Sequence, residues 1–292
     1  FQTYLQEQGR SPHTIRNYLS DLRQFAAWFE QTNGEALTPQ AVTPTDLREY
    51  RQHMLTVQRL SASTINRRLA SLAVYLAWGK EKGLIEHNPA VDVRGVRQQS
   101  IAPRWLSKRD QGRLERAAER AVTAAHTPAA RRRAVRDLAL VRLMLNTGLR
   151  VGEVCALRMD DVELNERSGS VTVRAGKGDK SRIVPLNLRA RRALRRWLEI
   201  RPSVDEPSLF VGQGGESLTP SAVRRRIADL ARQAGVEATP HTLRHTFGKR
   251  LVDSGVSLEK VAALMGHANL NTTRLYVAPS AHDLERAVSV LE

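Results

Sequence analysis

Between residues 161 and 185 the apolar residues change their period. Asp161-Val162-Glu163-Leu164, Val171-Thr172-Val173 and Arg182-Ile183-Val184-Pro185 alternate with a period of two. Gly169 marks one turn and Gly176-Lys177-Gly178-Asp179 another, so the segment reads as a small antiparallel sheet with a basic hairpin tip. On either side of it the spacing is helical. The predicted fold is therefore mainly α with one small antiparallel β-sheet.

The helical stretches before residue 94 form a bundle by themselves. Ser11-Pro12 is a helix start, an N-cap followed by Pro at the first helical position. Ile15, Tyr18, Leu19, Leu22, Phe25, Ala26 and Phe29 then recur at helical spacing, and Gly34 ends the unit. Thr43-Pro44 opens a second helix, with Leu47, Tyr50, Met54 and Leu55 on one face. Ser61 or Ser63 opens a third, with Ile65, Leu69, Leu72, Ala73 and Leu76 inward, ending near Gly83. Asn66, Arg67 and Arg68 lie opposite that stripe and are candidate DNA contacts or a solvated face. Residues 94–104 have no sustained periodicity and are expected to be a linker between a first domain, 1–93, and a second, 105–292.

In the second domain helices resume near Ser107, a candidate cap. After His126-Thr127-Pro128, Arg131-Arg132-Arg133 leads into a long apolar helix closed by Thr147-Gly148. A short helix, Val151 to Leu157, precedes the sheet, and helices return at 188–200 and 220–234. The last exposes Arg224, Arg225 and Arg226, which join Arg131 as candidate phosphate contacts. Leu284, Ala287, Val288 and Leu291 form a terminal amphipathic pattern, expected to pack either on its own protomer or on a neighbour.

The formal net charge of +16 points to a polyanionic partner, since clustered Lys and Arg gain affinity by releasing the counterions of nucleic acid. It is uneven. Residues 1–100 hold 12 Lys and Arg against 9 Asp and Glu, whereas the remainder holds 34 against 21. The single cysteine, Cys155, excludes an intrachain disulfide, suits a reducing cytoplasm, and reads as a small core residue. No run approaches the ~20 apolar residues of a membrane span.

Chemistry concentrates between His241 and Tyr276. His241, Arg244 and His245 fall on one helical face, because residues three and four apart are neighbours. Imidazoles and a guanidinium near a tyrosine suit a phosphate diester: Arg offers a permanently charged fork, and His exchanges protons near neutral pH. A zinc-protease reading of the His241/His245 pair fails, because Thr242 stands where that pattern needs Glu.

Singly these signals are weak; their order is specific. Thr147-Gly148-Leu149-Arg150-Val151-Gly152-Glu153, Gly176-Lys177-Gly178-Asp179-Lys180, His241-Thr242-Leu243-Arg244-His245, Leu264-Met265-Gly266-His267 and Tyr276 follow one another along the chain. The set resembles the tyrosine recombinase, or phage-integrase, family, with a layout similar to its Xer-type members. The resemblance covers nearly the whole chain. It implies an N-terminal helical core-binding domain, SAM-like, and a C-terminal α+β catalytic domain. It also implies roles. Arg150 and Arg244 would grip the non-bridging oxygens of the scissile phosphate, with His241 and His267 hydrogen-bonding the same group and helping to manage protons. Lys177 would protonate the departing 5′-oxygen, with Lys180 nearby as an alternative; Tyr276 would be the nucleophile, and Glu153 would support Arg150. His245 is expected to be a structural partner of its helix. Val277-Ala278-Pro279-Ser280 departs from the Thr-His that follows the tyrosine in many Xer-like members.

The implied reaction is strand exchange through a 3′-phosphotyrosyl bond, with neither metal nor ATP. The implied partner is double-stranded DNA with a specific site, held by a homo- or hetero-tetramer across two sites that is monomeric or weakly associated off DNA. The expected location is the cytoplasm, at the nucleoid. Two other readings stand beside it: a type IB topoisomerase-like relaxing enzyme, and a non-catalytic DNA-binding accessory protein.

Overall fold

The computed structural model describes residues 1–97, 104–174, 181–267, 271–274, 276 and 288–289. The chain divides into two compact units, Phe1–Ile101 and Ala102–Glu292.

The first unit is helical. It contains α1 (Gln2–Glu7), α2 (Pro12–Asn33), α3 (Pro44–Thr56) and α4 (Ala62–Glu81). Helix α1 has only six residues, too few for the periodicity that reveals the others. Ser11, Thr43 and Ser61 cap the next three by accepting the backbone N–H three residues on, and Asp46 completes a capping box with Thr43. Phe25, Phe29, Tyr50, Met54, Ile65, Leu72 and Leu76 form the core. Leu55, predicted to face inward, is exposed instead. Residues 94–96, expected to begin a linker, are fastened to this unit. Arg51 Nη1 donates to the Arg94 carbonyl at 2.6 Å, and the Asn66 amide accepts from the Val96 N–H and donates to its carbonyl.

The second unit is built around one helix. It runs α5 (Lys108–Thr123), α6 (Pro128–Thr147), α7 (Val151–Ala156), a 3₁₀ turn (Met159–Asp161), β1 (Val162–Leu164), β2 (Gly169–Val173), β3 (Arg182–Pro185), α8 (Leu188–Leu198), α9 (Pro220–Ala234), α10 (Pro240–Asp253), α11 (Leu258–Met265) and α12 (Asn271–Arg274). Every α6 residue from Ala134 to Val141 and from Leu143 to Thr147 is buried, so that helix is the hub, enclosed nearly all round. Helices α5, α8 and α10 pack on it. The three strands form one antiparallel sheet in the order β1-β2-β3, with Val171 opposite both Val162 and Val184.

Gly148 ends α6 at a φ of 64°, the left-handed region that L side chains avoid. A Cβ there would lie 2.4 Å from the ring of Phe247 on α10. Glycine therefore lets the chain turn sharply into α7 while α10 closes against the same corner. That corner carries the candidate site.

Candidate functional site

Three helix ends meet in the second unit. Helix α10 starts at Thr239, whose hydroxyl accepts from the Thr242 N–H, with Pro240 at the first helical position. This start fixes His241, Arg244 and His245 along one face. Helix α6 ends at Gly148, and α11 ends at Gly266, also left-handed at a φ of 66°. A helix C-terminus leaves carbonyls without intrahelical donors and carries partial negative charge, so both ends favour cations.

Arginines supply the donors. Arg244, 4% exposed, donates from Nη1 to the Gly148 carbonyl at 2.6 Å and from Nη2 to the Met265 carbonyl at 2.8 Å. Arg150 donates from Nη2 to the Gly266 carbonyl at 3.0 Å. Arg182, on β3, donates from Nε to the Leu264 carbonyl at 3.1 Å. The turn Leu264-Met265-Gly266 thus receives three guanidiniums, and His267 follows at once. The sequence pattern has a physical meaning here: it is a helix end shaped to hold arginines.

Glu153 balances them in part. Its carboxylate takes two hydrogen bonds from Arg182, at 2.8 and 3.0 Å, one from Arg150 Nη1 at 3.0 Å and one from the Arg150 backbone N–H at 2.7 Å. Arg244 Nη1 stands 4.0 Å away. One carboxylate against three guanidiniums leaves an excess of two positive charges, suited to a phosphate diester that gains charge when attacked. Burial works against the ionised Glu153, but the hydrogen bonds from Arg182 and from the Arg150 N–H outweigh it, and its pKa is lowered. A lowered carboxylate pKa stabilises the fold above the unfolded-state value, and that contribution is lost as pH falls through the folded-state value. Glu153→Gln is therefore expected to cost about 2–3 kcal/mol at neutral pH, because the arginines lose their countercharge and one of the two acceptor oxygens, with an NH2 donor in its place. Urea unfolding at pH 7 and at pH values below the ordinary glutamate pKa checks this: the gap between variant and wild type narrows only there, as the wild-type carboxyl protonates.

Tyr276 is packed into the same corner. Its ring is 1% exposed and stacks on His267, with centroids 6.4 Å apart and planes 11° apart. A Cβ on Gly248, inside α10, would lie 2.9 Å from that ring and from Met265 Sδ, so glycine makes the seat. The Tyr276 hydroxyl lies 2.8 Å from His245 Nδ1. His267 Nδ1 lies 2.9 Å from Thr273 Oγ1. Burial, then the charges of Arg244 and Arg150, push His267 down to about 4, so its ring is neutral at physiological pH. His245 is lowered as well, by burial first and then by His241 and Arg244. Burial raises Tyr276, against the opposing pull of Arg244 and Arg150. Arg244 is pushed down to about 10 by burial and by Arg150, and stays charged.

Of the residues singled out in the sequence, Arg150, Glu153, Arg244, His267 and Tyr276 are brought together. His241 is exposed on the same face, its ring 6.3 Å from that of His245. Lys177 and Lys180 lie outside the described residues, as do Leu284, Ala287 and Leu291; Val288 is exposed. Among the described residues, no group of three or more His, Cys, Asp or Glu side chains could hold a metal ion, and no helix is long and apolar enough to cross a membrane. Cys155 packs against the core, and burial pushes its thiol up to about 11.

Two residues join this site that the sequence pattern does not credit with a place in it. Arg182 falls on a strand, and period two puts it on the same side as buried Val184, opposite exposed Ile183; that alternation is the available signal. His245, expected to be a partner of its own helix, instead reaches the tyrosine hydroxyl with its ring.

The candidate DNA contacts divide. Arg131, Arg224 and Arg225 are exposed. Asn66 and Arg68 have inward duties, while Arg67 stays exposed. Asn66 holds Val96. Arg67 pairs with Asp21, which is 1% exposed and needs a countercharge. Arg68, expected opposite the apolar stripe, is 9% exposed and bonds Gln58 and Tyr50. Arg226 is likewise engaged, with Asp137 and Asp229.

Comparison with known proteins agrees with this geometry. The phage integrase family matches residues 114–282, and the N-terminal SAM-like domain of phage integrases matches residues 1–83. A tyrosine recombinase XerC of Thermodesulfovibrio yellowstonii is 34% identical over 281 residues, covering 92% of this chain and 87% of that protein. A tyrosine recombinase XerC of Neisseria meningitidis serogroup C is 34% identical over 284 residues, covering 94% and 89%. The fold is similar to that of the XerH site-specific recombinase, solved in a post-cleavage complex with a palindromic difH substrate. The TM-score is 0.78 at 22% identity, over 100% of this chain and 85% of that one. The chain belongs to the phage integrase family of tyrosine recombinases.

Proposed function

We propose that this protein is a site-specific DNA recombinase that cuts and rejoins strands through a 3′-phosphotyrosyl intermediate on Tyr276. The observation that carries the reading is a buried tyrosine hydroxyl, bonded to His245, within reach of the charges of Arg150 and Arg244, both held on helix-end carbonyls. Fixed cationic donors stabilise the charge that grows on the equatorial oxygens more than they stabilise the ground state. Arg150 and Arg244 take those oxygens, with His241 and His267 as further donors, and Glu153 keeps the guanidiniums in place. Lys177 protonates the departing 5′-oxygen, a poor leaving group without an acid. The phosphotyrosyl bond conserves the energy of the broken diester, so the freed 5′-hydroxyl of a partner strand can reseal it without ATP. Tyr276 is 1% exposed, so DNA must open this face before the hydroxyl meets phosphorus.

Residues 1–93 are proposed as the core-binding domain, 94–104 as the linker and 105–292 as the catalytic domain. Double-stranded DNA with a specific site is the partner. Arg131, Arg224 and Arg225 are proposed as contacts, since they expose charge that counterion release rewards. Related recombinases have been solved on DNA, among them XerH on its difH substrate and a lambda integrase dimer on a core site. The working assembly is proposed to be a tetramer across two sites, at the nucleoid in the cytoplasm.

The test begins with selection of bound duplexes from a random library. A nicked suicide version of the selected site should then trap the protein as a covalent adduct, and mass spectrometry should place the nucleotide on the peptide containing Tyr276. No adduct, or an adduct elsewhere, overturns the reading. Strand exchange between two duplexes separates recombination from simple relaxation.

A further inference from the structure

Two imidazoles, His245 and His267, stand beside Tyr276 and a third, His241, beside His245; among the described residues only His245 meets the hydroxyl. His245 Nδ1 lies 2.8 Å from the phenolic oxygen, within hydrogen-bond distance for proton transfer. His267 presents its ring face to the tyrosine, and its Nδ1 is engaged with Thr273 Oγ1 at 2.9 Å. His241 is exposed, one turn back along α10. The placement of His245 follows from the fold. The Thr239–Pro240 start sets the phase of α10, and Gly248, one turn beyond His245, clears the space that brings the tyrosine ring against that helix.

The geometry points to His245 as the general base that takes the proton of Tyr276. This rests on Tyr276 being the nucleophile, as proposed above. As the phenolic oxygen bonds to phosphorus, its proton passes to His245 Nδ1 and the bond from phosphorus to the 5′-oxygen breaks. That oxygen takes its proton from the acid, Lys177. Religation runs the same path backwards: the attacking 5′-hydroxyl returns its proton to the acid, and His245 returns the other to the departing tyrosine. No proton is gained or lost over the cycle.

The surroundings suit the role. The base must be neutral before the reaction, with Nδ1 carrying the lone pair. Burial and the charges of His241 and Arg244 lower the His245 pKa, which keeps the ring neutral at physiological pH. His267 faces the tyrosine from beyond α11 and is itself neutral, so it adds no competing charge. A phosphate arriving between Arg150 and Arg244 brings negative charge close to this ring, and that charge favours the imidazolium when the proton moves.

An ordinary structural histidine would also hydrogen-bond a buried hydroxyl, so the experiment has to separate holding from proton transfer. Asn can place an acceptor near the Nδ1 position and keep the hydrogen bond, but it cannot take the proton. Single-turnover cleavage of the suicide duplex is measured for wild type, His245→Ala and His245→Asn, with the bound fraction of DNA followed by gel shift. Both variants are expected to bind DNA and to lose ~10²–10³-fold in adduct formation, within the range for a missing general base. A 5′-bridging phosphorothiolate, whose sulfur leaves without an acid, should rescue Lys177→Ala and leave both His245 defects in place. Cleavage by His245→Asn near the wild-type rate, or rescue of the His245 variants by the sulfur substrate, overturns the assignment. Absence of an adduct with the wild-type protein overturns the functional reading itself, a separate outcome.

Discussion

Replacing Tyr276 by Phe is expected to abolish the covalent protein–DNA adduct while leaving DNA binding in place. The substitution removes one oxygen and keeps the ring. Phe retains the stacking on His267 and the contact with Met265 over Gly248, so the corner keeps its packing. What it loses is the hydrogen bond at 2.8 Å to His245, and with it the atom that would bond to phosphorus. The stability cost should be about 1 kcal/mol, the net value of one such hydrogen bond. Against that small cost the chemical loss is complete, because neither Thr273, occupied by His267, nor Cys155, a half-buried, protonated thiol, is placed to substitute for it. Gel shift and the suicide duplex, run on one preparation, check both halves. An adduct formed by Tyr276→Phe would put the nucleophile elsewhere.

The parts of this site differ in how far the sequence discloses them. Helix starts are readable because Thr43-Pro44, Thr127-Pro128, Thr219-Pro220 and Thr239-Pro240 each pair a capping hydroxyl with a proline at the first turn, and all four open a helix. The sheet is readable from its change of period, and β3 has the predicted bounds, Arg182–Pro185. The duties of charged side chains are less visible. That exposed Arg67 also pairs with buried Asp21 depends on a carboxylate 46 residues away. Arg68 is buried because Gln58 and Tyr50 offer it acceptors, and periodicity alone assigns it to the outside. His245 shows the same limit. Its spacing on α10 is plain, but its partner comes from a segment 31 residues downstream, and only the fold brings the two together. Helical spacing reports which residues share a face; it does not report what that face meets.

The two arginines should separate along this line. Arg150 and Arg244 are both proposed to hold the scissile phosphate, so losing either should slow cleavage by ~10²–10³-fold, the usual cost of one transition-state donor. Their structural burdens differ. The Arg150 side chain is 45% exposed, and its ion pair with Glu153 lies at the rim, where such pairs contribute little to stability. Arg244 is buried and ties the end of α6 to the end of α11 through two carbonyls. Arg244→Ala leaves both carbonyls without their donor, at about 1–3 kcal/mol each, and loosens the two turns that present Arg150 and His267. Arg244→Lys keeps the charge, but a single ammonium cannot reproduce the planar fork that reaches both carbonyls, so it should recover little of the rate. Urea unfolding and single-turnover cleavage of Arg150→Ala, Arg244→Ala and Arg244→Lys should therefore give similar rate losses with a marked drop in stability only at Arg244. If Arg244→Lys cleaves at the wild-type rate, charge alone is sufficient at this position, and the bridge between the two helix ends is not what organises the site.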